Sequence, residues 1–303
     1  MAKSKRHKKK KKGKKAHRRS VHTGGLYLEY SGHSQIAADN LEKFRRHLDL
    51  ELAIQREKII DYLQSALSDK RKPLKFSEWV RIVPTRFASD PLSTVGSVKG
   101  VGGRFNFGKI DDAQFTPFDC LYIASDRNTG LSEYLQRDPN EVEKGITAGE
   151  LNLLPENPSC FGVSGNLQHV VDLTNEKNLS GFLNLIKKFK ISDAVMQMAD
   201  ELKIPRPKVI TTLEDLMGQL LDPNFKYFSN FLNVPSNSQW FGQICHSAGI
   251  EGILYPSVRA IGQCLALFPD NFLDCDSFVE LTDAPASVVT RKLEGRTIEP
   301  SPI

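Results

Sequence analysis

The stretch "KGVGGRFNFGKID", residues 99–111, decides what kind of fold the chain has, because it nearly spells two phosphate-binding motifs and completes neither. From Gly103 it reads G-x-x-x-x-G-K, but Ile110 stands where a Walker A loop requires a serine or threonine hydroxyl to hold magnesium. From Gly100 it reads G-x-G, but Phe105 stands where a dinucleotide-binding turn has its third glycine. The flanks disagree as well. Such loops join a hydrophobic strand to a helix, whereas "PLSTVGSVKG" precedes this one and "DDAQFTPFD" follows it, with a proline and no helical stripe. The nucleotide-triphosphatase reading fails, leaving a glycine turn with Arg104 at its centre.

Outward from that turn, short apolar runs are punctuated by Gly, Pro and Asp. "EWVRIVP", "CLYIAS", "EGILYP", "CLALFP" and "SFVEL" predict strands, and a helix is expected over 127–136 after the second of them. "FGVSGNLQHVVDL" predicts a strand interrupted by a turn at Ser164, Gly165 and Asn166. "TTLEDLMGQLL" puts Leu213, Leu216, Met217, Leu220 and Leu221 on one helical face behind a threonine cap, and "SQWFGQICHSAG" predicts a helix closed by Gly249. This mixed order points to an α+β domain rather than regular β-α-β alternation.

Upstream, Ile36, Leu41, Phe44, Leu48, Leu50, Ile54, Ile59 and Leu63 recur at mostly three- to five-residue steps, which predicts one or two amphipathic helices. Pro73 marks their end. The expected organisation is a disordered basic tail over 1–24, a helical appendage over 25–74, a catalytic domain over 75–283 and a loose C-terminal tail over 284–303.

Charge is unevenly placed. Residues 1–20 carry 12 Lys/Arg and no acid, so the remainder is net −7 within a chain of net +5. Such a tail predicts non-specific contact with polyanions; without interleaved aromatics to stack bases it does not predict sequence-specific binding. It has no apolar stretch of a secretory signal, and no run in the chain is long and apolar enough to span a bilayer. The five cysteines form no C-x-x-C pair, which predicts reduced thiols and a cytoplasmic protein; adjacent Cys245 and His246 point in different directions on a helix and are expected to be structural.

Four segments hold polar residues that a core has no reason to contain. "EWVRIVPTRF" sets Arg81 in an apolar strand, where a solvated edge arginine is the plainer explanation. "GGRFN" sets Arg104 behind glycines that let backbone approach a ligand. In "LYIASDRNTGLSEYLQ", strand alternation sends Tyr122 to the face opposite Leu121 and Ile123, and Glu133 lies on the following helix. "GILYPSVRA" sets Ser257 at a strand end.

In that order these segments resemble the RES domain, a family named for its Arg, Glu and Ser, over roughly residues 76–281. The resemblance implies a fold related to ADP-ribosyltransferases and an enzyme that consumes NAD, commonly the toxin of a pair with an Xre-type antitoxin. It implies Arg81, Glu133 and Ser257 as catalytic candidates, and Arg104, Tyr122, Gly103 and Asn106 as contacts to NAD, with no metal. Residues 147–237 match the family pattern poorly, and Arg86, Arg127 and Arg259 lie near enough to the motifs to take the role of Arg81 or Arg104.

Those side chains suit the chemistry. Breaking the nicotinamide–ribose bond develops oxocarbenium character, which a carboxylate such as Glu133 stabilises. Arginine grips a pyrophosphate through paired, charge-assisted hydrogen bonds, and Tyr122 offers a flat face to nicotinamide. The leading expectation is NAD cleavage by phosphate or water, NAD being the substrate and inorganic phosphate a co-substrate. The alternatives are ADP-ribosyl transfer to a macromolecule, or a non-catalytic nucleic-acid-binding protein that uses its basic tail.

Overall fold

Val80, Ile82 and Val83 are β-branched residues beside Phe76 and Trp79, a composition that favours pleated backbone, and they lie in the long strand β1 (Lys72–Pro84). The computed structural model describes residues 34–111, 113–137, 156–272 and 276–295, with the side chains of 34–38 excepted. The basic tail and Cys275 lie outside these residues. All of the described residues belong to one unit beginning at His33.

Among the described residues six further strands follow: β2 (Leu121–Ala124), β3 (Pro158–Asp172), β4 (Gly252–Pro256), β5 (Gln263–Leu267), β6 (Phe278–Leu281) and β7 (Lys292–Glu294). The sheet order is β1-β2-β5-β4-β3-β6-β7, and β1 also pairs with β3, so five strands close into a ring with β6 and β7 as an extension. All pairings are antiparallel except β3 with β4. Helices are interleaved with the strands, so the chain is α+β, as expected.

Closing so small a ring requires β1 to bend. Its register against β3 shifts between Phe76 and Trp79, where Glu78 takes a left-handed φ of 60°, the signature of a bulge. The ring shuts on the other side through one residue pair, Val80 with Ala124.

Alternation along the strands sorts the core into two parts. Leu121, Ile123, Leu254, Leu265 and Leu267 join Val163, Leu167 and Val170 to fill the ring. The intervening Ala124, Ile253, Tyr255, Cys264 and Ala266 face the opposite way and pack against helices.

The turn expected at Ser164, Gly165 and Asn166 does not exist; β3 runs through it unbroken. Its edges are both taken there, with Gly165 paired to Phe76 on one side and Val279 on the other. Gly165 is glycine because of crowding, since a Cβ would lie 2.6 Å from both the Phe278 carbonyl and the Phe76 ring. β7 pairs with β6 (Val279 with Leu293), so ordered sheet continues past residue 283.

The N-terminal helices are α1 (Ser34–Glu57) and α2 (Ile60–Ser68). On α1, Leu41, Phe44 and Leu48 share a face and are buried, whereas Leu50 and Ile54 are 60% and 49% exposed. Leu50 is two residues beyond Leu48 and therefore points away from that face. Inward, Asp49 accepts from the Trp240 indole at 2.9 Å, and the Arg56 guanidinium lies over the same ring at 4.0 Å. Leu63 and Leu67 of α2 are fully buried in the main core with Phe182, Leu216 and Phe241, so α2 packs into the same core as the sheet. Leu67→Ala is expected to cost about 2–5 kcal/mol, the range for emptying a core leucine site, measured by urea unfolding; a loss below about 1 kcal/mol would show that α2 packs only peripherally.

Candidate active site

The GGRFN turn is built by its own backbone needs. Gly102 has φ +96°, and a Cβ there would lie 2.2 Å from the Asn106 carbonyl oxygen, so only glycine fits. Asn106 is fully buried. Its Oδ1 accepts from the Gly103 amide at 2.8 Å and from the Tyr122 hydroxyl at 2.9 Å. Its Nδ2 donates to the carbonyls of Ser97 and Phe118 at 3.1 and 3.0 Å. With its amide committed to the chain on every side, Asn106 holds the turn. Tyr122 closes the knot by accepting from the Phe105 amide at 2.9 Å, and a Cβ on Gly103 would strike its hydroxyl at 2.3 Å. Burial pushes the Tyr122 phenol well above its usual range, so it stays a donor.

The helix over Asn237–Ser247 grips the same turn from behind, beginning with a capping box of Ser236 and Gln239. The Gln239 Nε2 donates to the carbonyls of Val101, Gly103 and Asn106 at 2.8, 3.2 and 3.2 Å. One turn on, Gly242 lets the helix meet the Phe105 backbone; a Cβ there would lie 2.0 Å from the Phe105 oxygen. Neither contact is legible in "SQWFGQICHSAG", which reads only as a helix closed by Gly249.

So held, Arg104 is buried at 4% exposure. Its Nη1 donates to the carbonyls of Asp222 and Leu220 at 2.7 and 3.3 Å, and its guanidinium lies 4.8 Å from the Phe225 ring centroid. Arg81 donates from Nη1 to the Tyr122 carbonyl at 2.7 Å and from Nε to that of Pro91 at 3.2 Å. Burial lowers its pKa to about 10. It is therefore no solvated edge residue.

Glu133 arrives on the helix over Arg127–Tyr134, capped by Asp126, whose carboxylate accepts from the Thr129 amide at 2.9 Å. Gly130 brings that helix close to β1, since a Cβ there would be 2.9 Å from Ile82. Ser257 follows β4 directly and donates to Glu133 Oε1 at 2.6 Å, while its own oxygen accepts from the amides of Arg259 and Ala260, each at 3.1 Å. Arg259 Nε stands 3.9 Å from Glu133 Oε2. Its other guanidinium nitrogens donate to the carbonyls of Arg137 and Pro223.

These groups border one cleft of about 210 Å³, lined by Arg81, Gly103, Arg104, Tyr122, Glu133, Phe225, Lys226 and Tyr255 among others. The cleft brings together every expected site residue except Asn106, which lies behind the turn, and Ser257, which reaches it through Glu133. Of the three nearby arginines, Arg259 joins Glu133, whereas Arg86 is exposed and pairs with Glu156 at 3.1 Å, and Arg127 is exposed. Phe225 and Lys226 come from the segment that matched no motif. The arrangement can fix a carboxylate beside a small organic group and meet anionic oxygens with guanidinium donors.

Other reactive groups serve the scaffold. Cys245 is buried with its thiol pushed well above the usual range, and His246 stacks on Phe118 at 4.8 Å. The fully buried Glu251 accepts from the Gln168 amide at 2.8 Å and Ser277 at 2.6 Å, and pairs with His169 at 3.1 Å. Among the described residues no group of three His, Cys, Asp or Glu is placed to hold a metal, and no helix is long and apolar enough to cross a membrane.

Residues 78–287 match the family model of the RES domain. Among solved structures, the chain is similar to one described as the M. tuberculosis MbcT-MbcA toxin-antitoxin complex. The identity is 13% and the TM-score 0.41, over 73% of this chain and 89% of that one. No curated protein matches the chain.

Proposed function

The chain belongs to the RES domain family, and on that basis we propose that it cleaves the nicotinamide–ribose bond of NAD. The observation that carries the reading is the Glu133 carboxylate, fixed by Ser257 at 2.6 Å and flanked by Arg259, in the same cleft as Arg104. In cleavage the bond's electron pair leaves with nicotinamide, and positive charge develops on the ribose. Glu133 stabilises that charge, and Ser257 and Arg259 keep the carboxylate aimed. Tyr122 and Tyr255 wall the cleft, and the Arg104 nitrogens not spent on Leu220 and Asp222 meet the pyrophosphate. An oxygen of water or inorganic phosphate then bonds to the ribose carbon and loses its proton.

Under this proposal the fold is ADP-ribosyltransferase-like, and the protein is a growth-inhibiting cytoplasmic toxin held in check by an Xre-type antitoxin. Residues 1–20 add non-specific polyanion contact.

Purified protein incubated with NAD is expected to release nicotinamide. ADP-ribose 1-phosphate forming only when phosphate is present would identify phosphorolysis, and free ADP-ribose hydrolysis. Label retained on protein or nucleic acid would replace both with transfer. NAD left intact with and without phosphate would overturn the proposal.

A further inference from the structure

The described part of the cleft holds more positive charge than its one carboxylate balances. Arg104, Lys226 and Arg81 line it with Glu133, and Glu133 already has Arg259 at its other oxygen. Lys226 is the least explained of them. Although much of the residue faces solvent, it lines the cleft; its ammonium lies 5.8 Å from the Phe225 ring centroid, and the Arg104 guanidinium lies 4.8 Å from the same ring. Among the described residues no carboxylate stands within ion-pair distance of it. Partial burial first, and then the like charges of Arg259 and Arg104, lower its affinity for its proton.

The backbone that carries Lys226 is tied down by the two arginines themselves. Arg104 donates to the carbonyls of Leu220 and Asp222, and Arg259 donates to that of Pro223 at 2.8 Å. The strap from Leu220 to Lys226 is thus anchored at three successive points, which sets Phe225 and Lys226 as a wall of the cleft. Anchoring a lysine beside like charges is unfavourable unless an anion completes the group.

We propose that Lys226 is a phosphate-binding residue of this cleft, taking a phosphate group together with the free nitrogens of Arg104. The inference rests on the NAD-cleaving reading and names the residue that would grip its anionic part. The phosphate belongs either to the pyrophosphate of the dinucleotide or to inorganic phosphate acting as acceptor. A compact ammonium with three rotatable donors suits either.

The test compares wild type with Lys226→Met and Lys226→Arg. Calorimetric titration with inorganic pyrophosphate, and separately with inorganic phosphate, reads binding without turnover. Lys226→Met is expected to weaken at least one of these ions by about tenfold or more, the effect of losing a charge-assisted hydrogen bond. Lys226→Arg is expected to restore most of it, with the Tm of both variants unchanged. In turnover assays, a raised KM for NAD with kcat retained assigns the residue to the dinucleotide; a raised KM for phosphate alone assigns it to the acceptor. Equal binding of both ions by wild type and Lys226→Met, or no binding of either ion by wild type, overturns the inference. Because the titrations do not depend on NAD being cleaved, an inactive protein that still binds pyrophosphate through Lys226 would sink the proposed reaction and keep the subsite.

Discussion

Glu133→Gln is expected to lower NAD turnover by about 100-fold or more, the scale on which losing one preorganised electrostatic contact slows an enzyme, while leaving Tm within about 2 °C. The substitution is chosen because it separates charge from shape. An amide oxygen still accepts from Ser257, which donates to Glu133 Oε1 at 2.6 Å, so the helix over Arg127–Tyr134 keeps its tie to the loop after β4. The substitution removes the negative charge and keeps the shape of the side chain. KM for NAD is expected to change little, because a charge that matters in the transition state acts on kcat. Equal turnover by Glu133→Gln and wild type would remove Glu133 from the chemistry and leave its bond to Ser257 as a structural tie.

Gly242→Ala is expected to cost about 3 kcal/mol or more, at the upper end for a methyl forced into packed structure. Its new Cβ would lie 2.0 Å from the Phe105 oxygen and 2.5 Å from the Phe105 carbonyl carbon, both backbone atoms with no side-chain freedom to retreat. The helix must lift or the GGRFN turn must yield, and Arg104 moves with the turn. Gly218 supplies the control. It lies in the helix over Leu213–Leu220 with nothing within 4 Å of an added Cβ, so Gly218→Ala is expected to stabilise by about 0.5–1 kcal/mol through helix propensity. Urea unfolding of both variants reads the contrast. A Gly242→Ala protein as stable as wild type would show that the turn and helix can part without cost.

What could be foreseen divides along a physical line. Arg81, Arg104, Glu133 and Ser257 are legible as candidates only as a set: each alone has a plainer structural explanation, and their order along the chain is what carries the resemblance to the family. Tyr122's orientation followed from strand alternation. Gln239 and Gly242 were not legible, because a buried amide and a glycine on an amphipathic helix acquire meaning only when the turn they meet is known. Asn106 sits in the motif and invites a role at the ligand, yet its hydrogen bonds all go inward. Gly165 reads as a turn in the sequence because a glycine demanded by crowding and one demanded by dihedral angle are spelled alike. Phe225 and Lys226 had no periodicity around them; the carbonyls that Arg104 and Arg259 hold put them in place.

The match to the family begins at residue 78, yet Leu63 and Leu67 are buried in the main core, and Asp49 bonds Trp240 next to the glutamine that clasps the turn. The span of the family match and the buried core of this chain therefore do not coincide. A cassette cut at residue 78 and grafted onto another protein would carry a raw apolar face where α2 had been. The first helices are therefore expected to be needed wherever the cleft is to stand, because they cover the core on which it is built.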